Sequence, residues 1–143
     1  MSLRARALRL LARREHTRAE LKSRLSPHAE DPVHVEELLD EFEQLGYLSE
    51  ARFVESMLNT RRRRFGALRV LHDLRQKGVS EAGLEQAKAA LADGELEAAR
   101  AVWQRKFGRL PESATERARQ ARFLASRGFS AEVVHKVLRS GTD

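Results

Sequence analysis

The sequence predicts an all-α protein, an elongated, curved array of three tandem three-helix repeats filling residues 1–143 as one helical domain. Three observations lead there. Apolar residues recur at helical spacing, and no segment shows the alternation of a strand. Ala, Leu, Arg and Glu dominate a composition of 41% hydrophobic and 34% charged residues with only three prolines. One punctuation mark also recurs: "GYLSEA" at 46, "GVSEAG" at 78 and "GFSAEV" at 128 each join a glycine, an apolar residue and a serine, the first with one residue more. Glycine adopts the left-handed conformation that ends a helix and serine caps the next one, so each joint reads as a stop and a restart.

The first unit spans about 3–48. Its opening segment, "LRARALRLLARREH", carries Leu8, Leu11 and their alanine neighbours and predicts a helix. Thr17-Arg18-Ala19-Glu20 is a capping-box pattern, which starts a second helix through Leu21 and Leu25. Asp31-Pro32 supplies an N-cap and a proline at the first helical position, and Val35, Leu38, Leu39, Phe42 and Leu45 then form the clearest amphipathic stripe. Gly46 ends that helix, Tyr47 and Leu48 pack back, and Ser49 opens the second unit, about 49–93, with helices near 50–64, 67–77 and 81–92. The third unit, about 94–139, repeats the plan with helices near 94–107, 114–127 and 131–139. A period near 45 residues matches two- and three-helix solenoid repeats. Units of that kind are expected to stack on their neighbours to bury their apolar faces, leaving a long binding face suited to a large partner.

Several chemistries are excluded. With no cysteine there is no disulfide, thiolate nucleophile or Cys-ligated metal, and a reducing cytoplasm is the expected setting. No apolar run approaches the roughly 20 residues of a membrane span, so no membrane partner is expected. His16, His28, His34, His72 and His135 lack paired ligand spacing, and neither a Walker-type loop nor a dinucleotide fingerprint is present. Adjacent carboxylates such as Glu36-Glu37 and Asp40-Glu41 fall on the polar side of their helix. Trp103, Phe107 and Leu110 continue the stripe of Leu96 and Ala99 and read as core rather than as a base-stacking platform. No catalytic residue, metal or cofactor is expected, and nucleic-acid contact should be with phosphates.

The net charge of +6 permits a polyanionic partner. It is spread unevenly: residues 1–29 hold eight Lys/Arg and two carboxylates, whereas 30–48 hold seven carboxylates and no Lys/Arg. In "TRRRRFG", residues 60–66, the four arginines fan around a helix that turns about 100° per residue. The stripe Val54, Leu58, Arg61, Phe65 puts Arg61 on the apolar face, where its stem is expected to be buried and its head paired with a carboxylate. Arg63 points away from that face into solvent, and Arg62 and Arg64 flank it as candidates for a grip on a partner. Arg13 and Arg14 at the end of the first helix, Arg69 and Arg75 on the fifth, and Arg119, Arg122 and Arg127 on the eighth complete the candidate partner- or DNA-binding set. Arg119 and Arg122 share a face opposite Ala118, Ala121 and Ala125, which are expected to pack on a neighbouring helix.

"ALRLLARREHTRAELKSRL", "GYLSEARFVES", "RRRRFGALRVLHDLRQKGVS" and "FLASRGFSAEVVHKVL", in this order over nearly the whole chain, resemble the RecX family, bacterial regulators of the RecA recombinase. The resemblance implies three tandem three-helix repeats and a cytoplasmic, monomeric, non-enzymatic protein working in homologous recombination, DNA repair and the SOS response. It implies binding to the RecA filament on single-stranded DNA, in the filament's helical groove, with inhibition of filament extension, ATP hydrolysis and strand exchange. It also implies weaker contact with single- or double-stranded DNA itself. A helix-turn-helix DNA regulator is one alternative, since paired helices with short glycine turns and a basic balance describe such proteins too, and a general helical scaffold binding some other protein is the other.

Overall fold

The computed structural model describes residues 1–140, which form nine α-helices and one 3-10 turn and no strand. The first unit comprises α1 (Leu3–Arg13), α2 (Arg18–Leu25), the 3-10 turn (Ser26–His28) and α3 (Pro32–Gln44). The second comprises α4 (Glu50–Arg61), α5 (Ala67–Gln76) and α6 (Glu81–Ala92), and the third α7 (Glu95–Lys106), α8 (Ala114–Ser126) and α9 (Ala131–Ser140).

The helix starts are set by local chemistry. Both bonds of the capping box form at α2: Thr17 Oγ1 accepts from the Glu20 amide and the Glu20 carboxylate accepts from the Thr17 amide. Asp31 caps α3 ahead of Pro32, and Ser49, Ser80 and Ser113 cap α4, α6 and α8 through the amide three residues on. The joints hold left-handed glycines, Gly46, Gly78 and Gly128, with φ of 80°, 87° and 94°. After Gly46 the Leu48 amide returns to the Phe42 carbonyl (3.1 Å) and its side chain is buried.

Two expectations about helix faces are corrected. α4 ends at Arg61 rather than near 64, and Arg62–Arg64 form a tight turn in which the amides of Arg64 and Phe65 both bond the Arg61 carbonyl (3.0 and 2.9 Å). A helical wheel therefore does not place those three arginines. On α8 the buried residues are Gln120 and Leu124; of the three alanines, Ala121 packs on the third core as expected, while Ala118 and Ala125 lie exposed. Gln120 is drawn inward because its Oε1 accepts from Trp103 Nε1 (2.9 Å), so a polar residue completes the core where the alanines had the better hydropathy.

Each unit also has a core of its own, contrary to the expectation that the repeats stack to bury apolar faces. Ala7, Leu21, Leu25, Val35, Leu39, Phe42 and Leu48 fill the first. Phe53, Val54, Leu58, Val70, Leu74, Val79, Leu84, Ala87 and Leu91 fill the second, and Ala99, Val102, Trp103, Leu124, Phe129, Val134, Val137 and Leu138 the third. Three helices can turn their stripes toward one axis and need no neighbour to do so. The accessible surface, 9006 Å², exceeds the about 7,500 Å² of a compact monomer of 16.3 kDa, as separate cores in an elongated array require.

The units meet at polar junctions that repeat one plan. At the second junction the amides of Gly66 and Leu68, at the start of α5, donate to the carbonyls of Arg127 (2.7 Å) and Gly128 (3.1 Å), where α8 ends. At the first junction the Thr17 hydroxyl, at the start of α2, donates to the Lys77 carbonyl (2.6 Å), where α5 ends. Each second helix thus begins where the second helix of the following unit stops, joining the positive end of one dipole to the negative end of the next. Glycine permits the approach. A Cβ on Gly78 would lie 2.6 Å from Ala19 Cβ, and one on Gly128 would run into the Arg69 backbone.

Candidate functional site

The junction that brings α5 to the end of α8 also gathers arginines. The turn after α4 presents Arg63 and Arg64, α7 contributes Arg105, and the end of α8 contributes Arg127. With Thr60 they line a cleft of about 460 Å³ that contains no carboxylate. Two of the guanidiniums are oriented by the turn itself: Arg127 Nη1 donates to the Arg64 carbonyl (3.2 Å), and Arg105 Nη2 lies 3.5 Å from that of Arg63. Arg127 is braced further, 5.5 Å from the centre of the Phe65 ring and 5.1 Å from that of Phe123. Phe65 carries Arg61 and Arg69 as well, at 5.2 and 4.9 Å, so one ring organises guanidiniums from both units. Each such contact contributes about 0.5–1 kcal/mol at an exposed site.

The rest of the arginine run is used structurally. Arg61 pairs with Asp73, as its place on the apolar face implied. Arg62 turns back on α6, where Nη2 donates to the carbonyls of Asp93 (2.7 Å) and Ala90 (3.2 Å), a favourable position for a cation at a helix C-terminus. Arg63 is exposed, as expected, and also lines the cleft, where the early end of α4 places it.

A second cleft, about 490 Å³, lies between the first two units and is lined by Arg14, Phe53, Met57, Arg61, Arg69, Asp73, Gln76 and Lys77. It is less basic in effect: Arg14 is held by Glu20 (3.2 Å), Lys77 by the same carboxylate (3.3 Å), and Arg61 and Arg69 by Asp73. Burial raises the Glu20 pKa, but Arg14, the Thr17 amide and Lys77 outweigh it and hold the carboxyl below its usual range. At the end of the third unit a cleft of about 700 Å³ is bounded by Lys106, Arg109, Arg119, Glu112 and Glu116. There Arg119 pairs with Glu116 (3.2 Å) and stacks on Phe107 (5.6 Å). Mixed signs and internal pairing make it a poorer anion site than the all-arginine cleft.

Of the sequence-derived candidates, the structure brings Arg64 and Arg127 together in the basic cleft, and Arg14 and Arg69 in the neighbouring one. Arg62 adjoins the basic cleft, lining a hollow with Arg63 and Arg105. Arg13, Arg75 and Arg122 are exposed outside these clefts, and Arg119 lies at the far end. Arg105 and Thr60 were not legible: Arg105 is one of several charges on α7, and its neighbour in space is 42 residues away in sequence. Among the described residues no group of three His, Cys, Asp or Glu side chains is placed to hold a metal, and no helix is long and apolar enough to cross a membrane.

Three helical units, separately cored and joined by close contacts at their junctions, with a cleft of unpaired guanidiniums between the second and third, define a tandem-repeat helical protein. Family models for the first, second and third three-helix domains of RecX match residues 4–42, 49–87 and 93–138. The chain is 50% identical over 139 residues to Regulatory protein RecX of Leptothrix cholodnii, covering 97% of this chain and 88% of that protein. It is 45% identical to Regulatory protein RecX of Ralstonia nicotianae, over 97% and 87% of the two chains. Its fold is that of the crystal structure of RecX from Lactobacillus salivarius, with a TM-score of 0.83 at 17% identity over 96% of this chain and 92% of that one. The chain belongs to the RecX family of regulatory proteins.

Proposed function

We propose that this chain binds the RecA filament on single-stranded DNA, lying in its helical groove, and restrains filament extension, ATP hydrolysis and strand exchange without chemistry of its own. The observation that carries the reading is the cleft of Arg63, Arg64, Arg105 and Arg127. Four guanidiniums with no carboxylate among them suit a row of phosphates or an acidic protein edge, and their place between two units suits a partner longer than one unit. The protein acts as one helical domain over residues 1–143 and as a monomer in the cytoplasm, a setting that suits a chain without cysteine. The remaining exposed candidates, Arg13, Arg75 and Arg122, extend the contact beyond the cleft.

The test is the rate of ATP hydrolysis by the cognate RecA on single-stranded DNA with this protein added well below equimolar. The expected outcome is loss of hydrolysis, and the double variant Arg64→Glu/Arg105→Glu loses that inhibition while keeping its helix content. An unchanged rate with the wild-type protein overturns the reading. So does a large preference for one duplex sequence over random DNA, which would mark a sequence-specific regulator.

A further inference from the structure

The cations of the first unit fall into two sets. The carboxylates of α3 take up Arg4 through Glu41 (2.8 Å), Lys22 through Glu36 (2.7 Å), and Arg18 through Glu36, Asp40 and Glu43 together. That network, with Arg18 at its centre, accounts for the acidic stretch opposite a basic one. Arg14 is held by Glu20. Arg6, Arg9, Arg13 and Arg24 remain, and among the described residues none of them has a carboxylate partner.

Arg6, Arg9 and Arg24 are gathered, while Arg13 lies apart from them. Arg6 and Arg9 stand one turn apart on α1, Arg24 closes α2, and with Leu10, His28 and Met1 they line a cavity of about 130 Å³. No acidic residue lines it. Arg6 Nε is buried and has no hydrogen-bond acceptor. Three like charges around one small space are unfavourable, and a bound anion relieves that repulsion.

We propose that this cavity is a second anion site, which takes one phosphate group of a nucleic-acid backbone. One guanidinium fork satisfies both oxygens of a carboxylate, whereas three guanidiniums and an imidazole lining one cavity offer more donors than a carboxylate can use. A volume of about 130 Å³ equals the share of roughly four liquid waters, room for one phosphate group. The site is separate from the cleft between the second and third units, and the inference does not rest on the function proposed for that cleft.

The experiment follows the arginine Nε–Hε resonances of the full 15N-labelled chain as inorganic phosphate, a short oligothymidylate or polyglutamate is added. The expected result is a saturable shift of Arg6 with phosphate and oligothymidylate. The Arg9→Gln/Arg24→Gln variant then binds the oligonucleotide with a salt slope smaller by about 0.7, the value of one phosphate contact on a single strand. Arg6 resonances that stay fixed through saturation with oligonucleotide overturn the proposal. A shift by polyglutamate at lower concentration than by oligonucleotide also overturns it, since the ligand is then a carboxylate. Arg64 and Arg127 report the other cleft in the same spectra, so movement there alone refutes this site and leaves the function of that cleft standing.

Discussion

Position 128 shows how much one residue decides. A side chain there would meet both a left-handed backbone, at φ 94°, and the Arg69 main chain. Gly46 has nearly the same backbone, at φ 80°, with nothing within 4 Å of a Cβ. Gly46→Ala is therefore expected to cost about 1–2 kcal/mol, the left-handed penalty alone. Gly128→Ala adds an overpacking term of about 1–3 kcal/mol, and urea unfolding of the two variants measures the difference. His16 makes a second case. It is 2% exposed, and burial pushes its pKa down, against the pull of a hydrogen bond to the Arg14 carbonyl (3.0 Å). The unfolded chain therefore takes up the proton first, and stability falls as pH drops below the ordinary histidine value of 6.5 toward the lowered folded value. His16→Gln is expected to flatten the stability profile in that window.

At the scale of elements, the capping box of α2 does more than start a helix. Glu20 closes the box on Thr17, receives Arg14 from α1 and receives Lys77 from the end of α5, so one carboxylate ties an intrahelical cap to the junction between units. Because its folded pKa is depressed, its contribution is present above the ordinary carboxyl value of 4.5 and is lost as pH falls through the lower folded value. Glu20→Gln is expected to cost about 1 kcal/mol at neutral pH, in the range of a lost cap, with the difference from wild type closing in acid. The helix starts and joints were legible in the sequence because a cap is a contact between residues three apart, and Ser49, Ser80 and Ser130 needed only their own first turns. The end of α4 was not legible, because the Arg61 to Asp73 pair and the turn that follows depend on where α5 comes to rest.

The whole molecule is three small cores held in line by junctions made of backbone and charge. Cooperation between units must pass through those contacts, and at the second junction it passes through Gly66, whose amide bonds the Arg127 carbonyl and whose missing Cβ admits Gly128. Gly66→Ala is expected to uncouple the third unit, so that a calorimetric scan with one transition in the wild-type chain resolves into two. A single transition moved to lower temperature would show instead that the units unfold together without this contact. The same junction builds the cleft of Arg63, Arg64, Arg105 and Arg127, so loss of coupling should weaken anion binding too.

The sequence by itself determined the helices, their caps, the three-unit period, the role of Arg61 and the resemblance to a family, all of which rest on residues close together along the chain or on their order. Only the tertiary structure decided which arginines are free. Arg62 is spent on the end of α6, Arg63 faces a cleft, Arg105 arrives from α7, and Arg6, Arg9 and Arg24 are left over once α3 has taken Arg4, Arg18 and Lys22. Net charge is a property of composition. An anion site depends on which charges lack a partner, and the partners come from helices that are remote in sequence and are brought together only by packing.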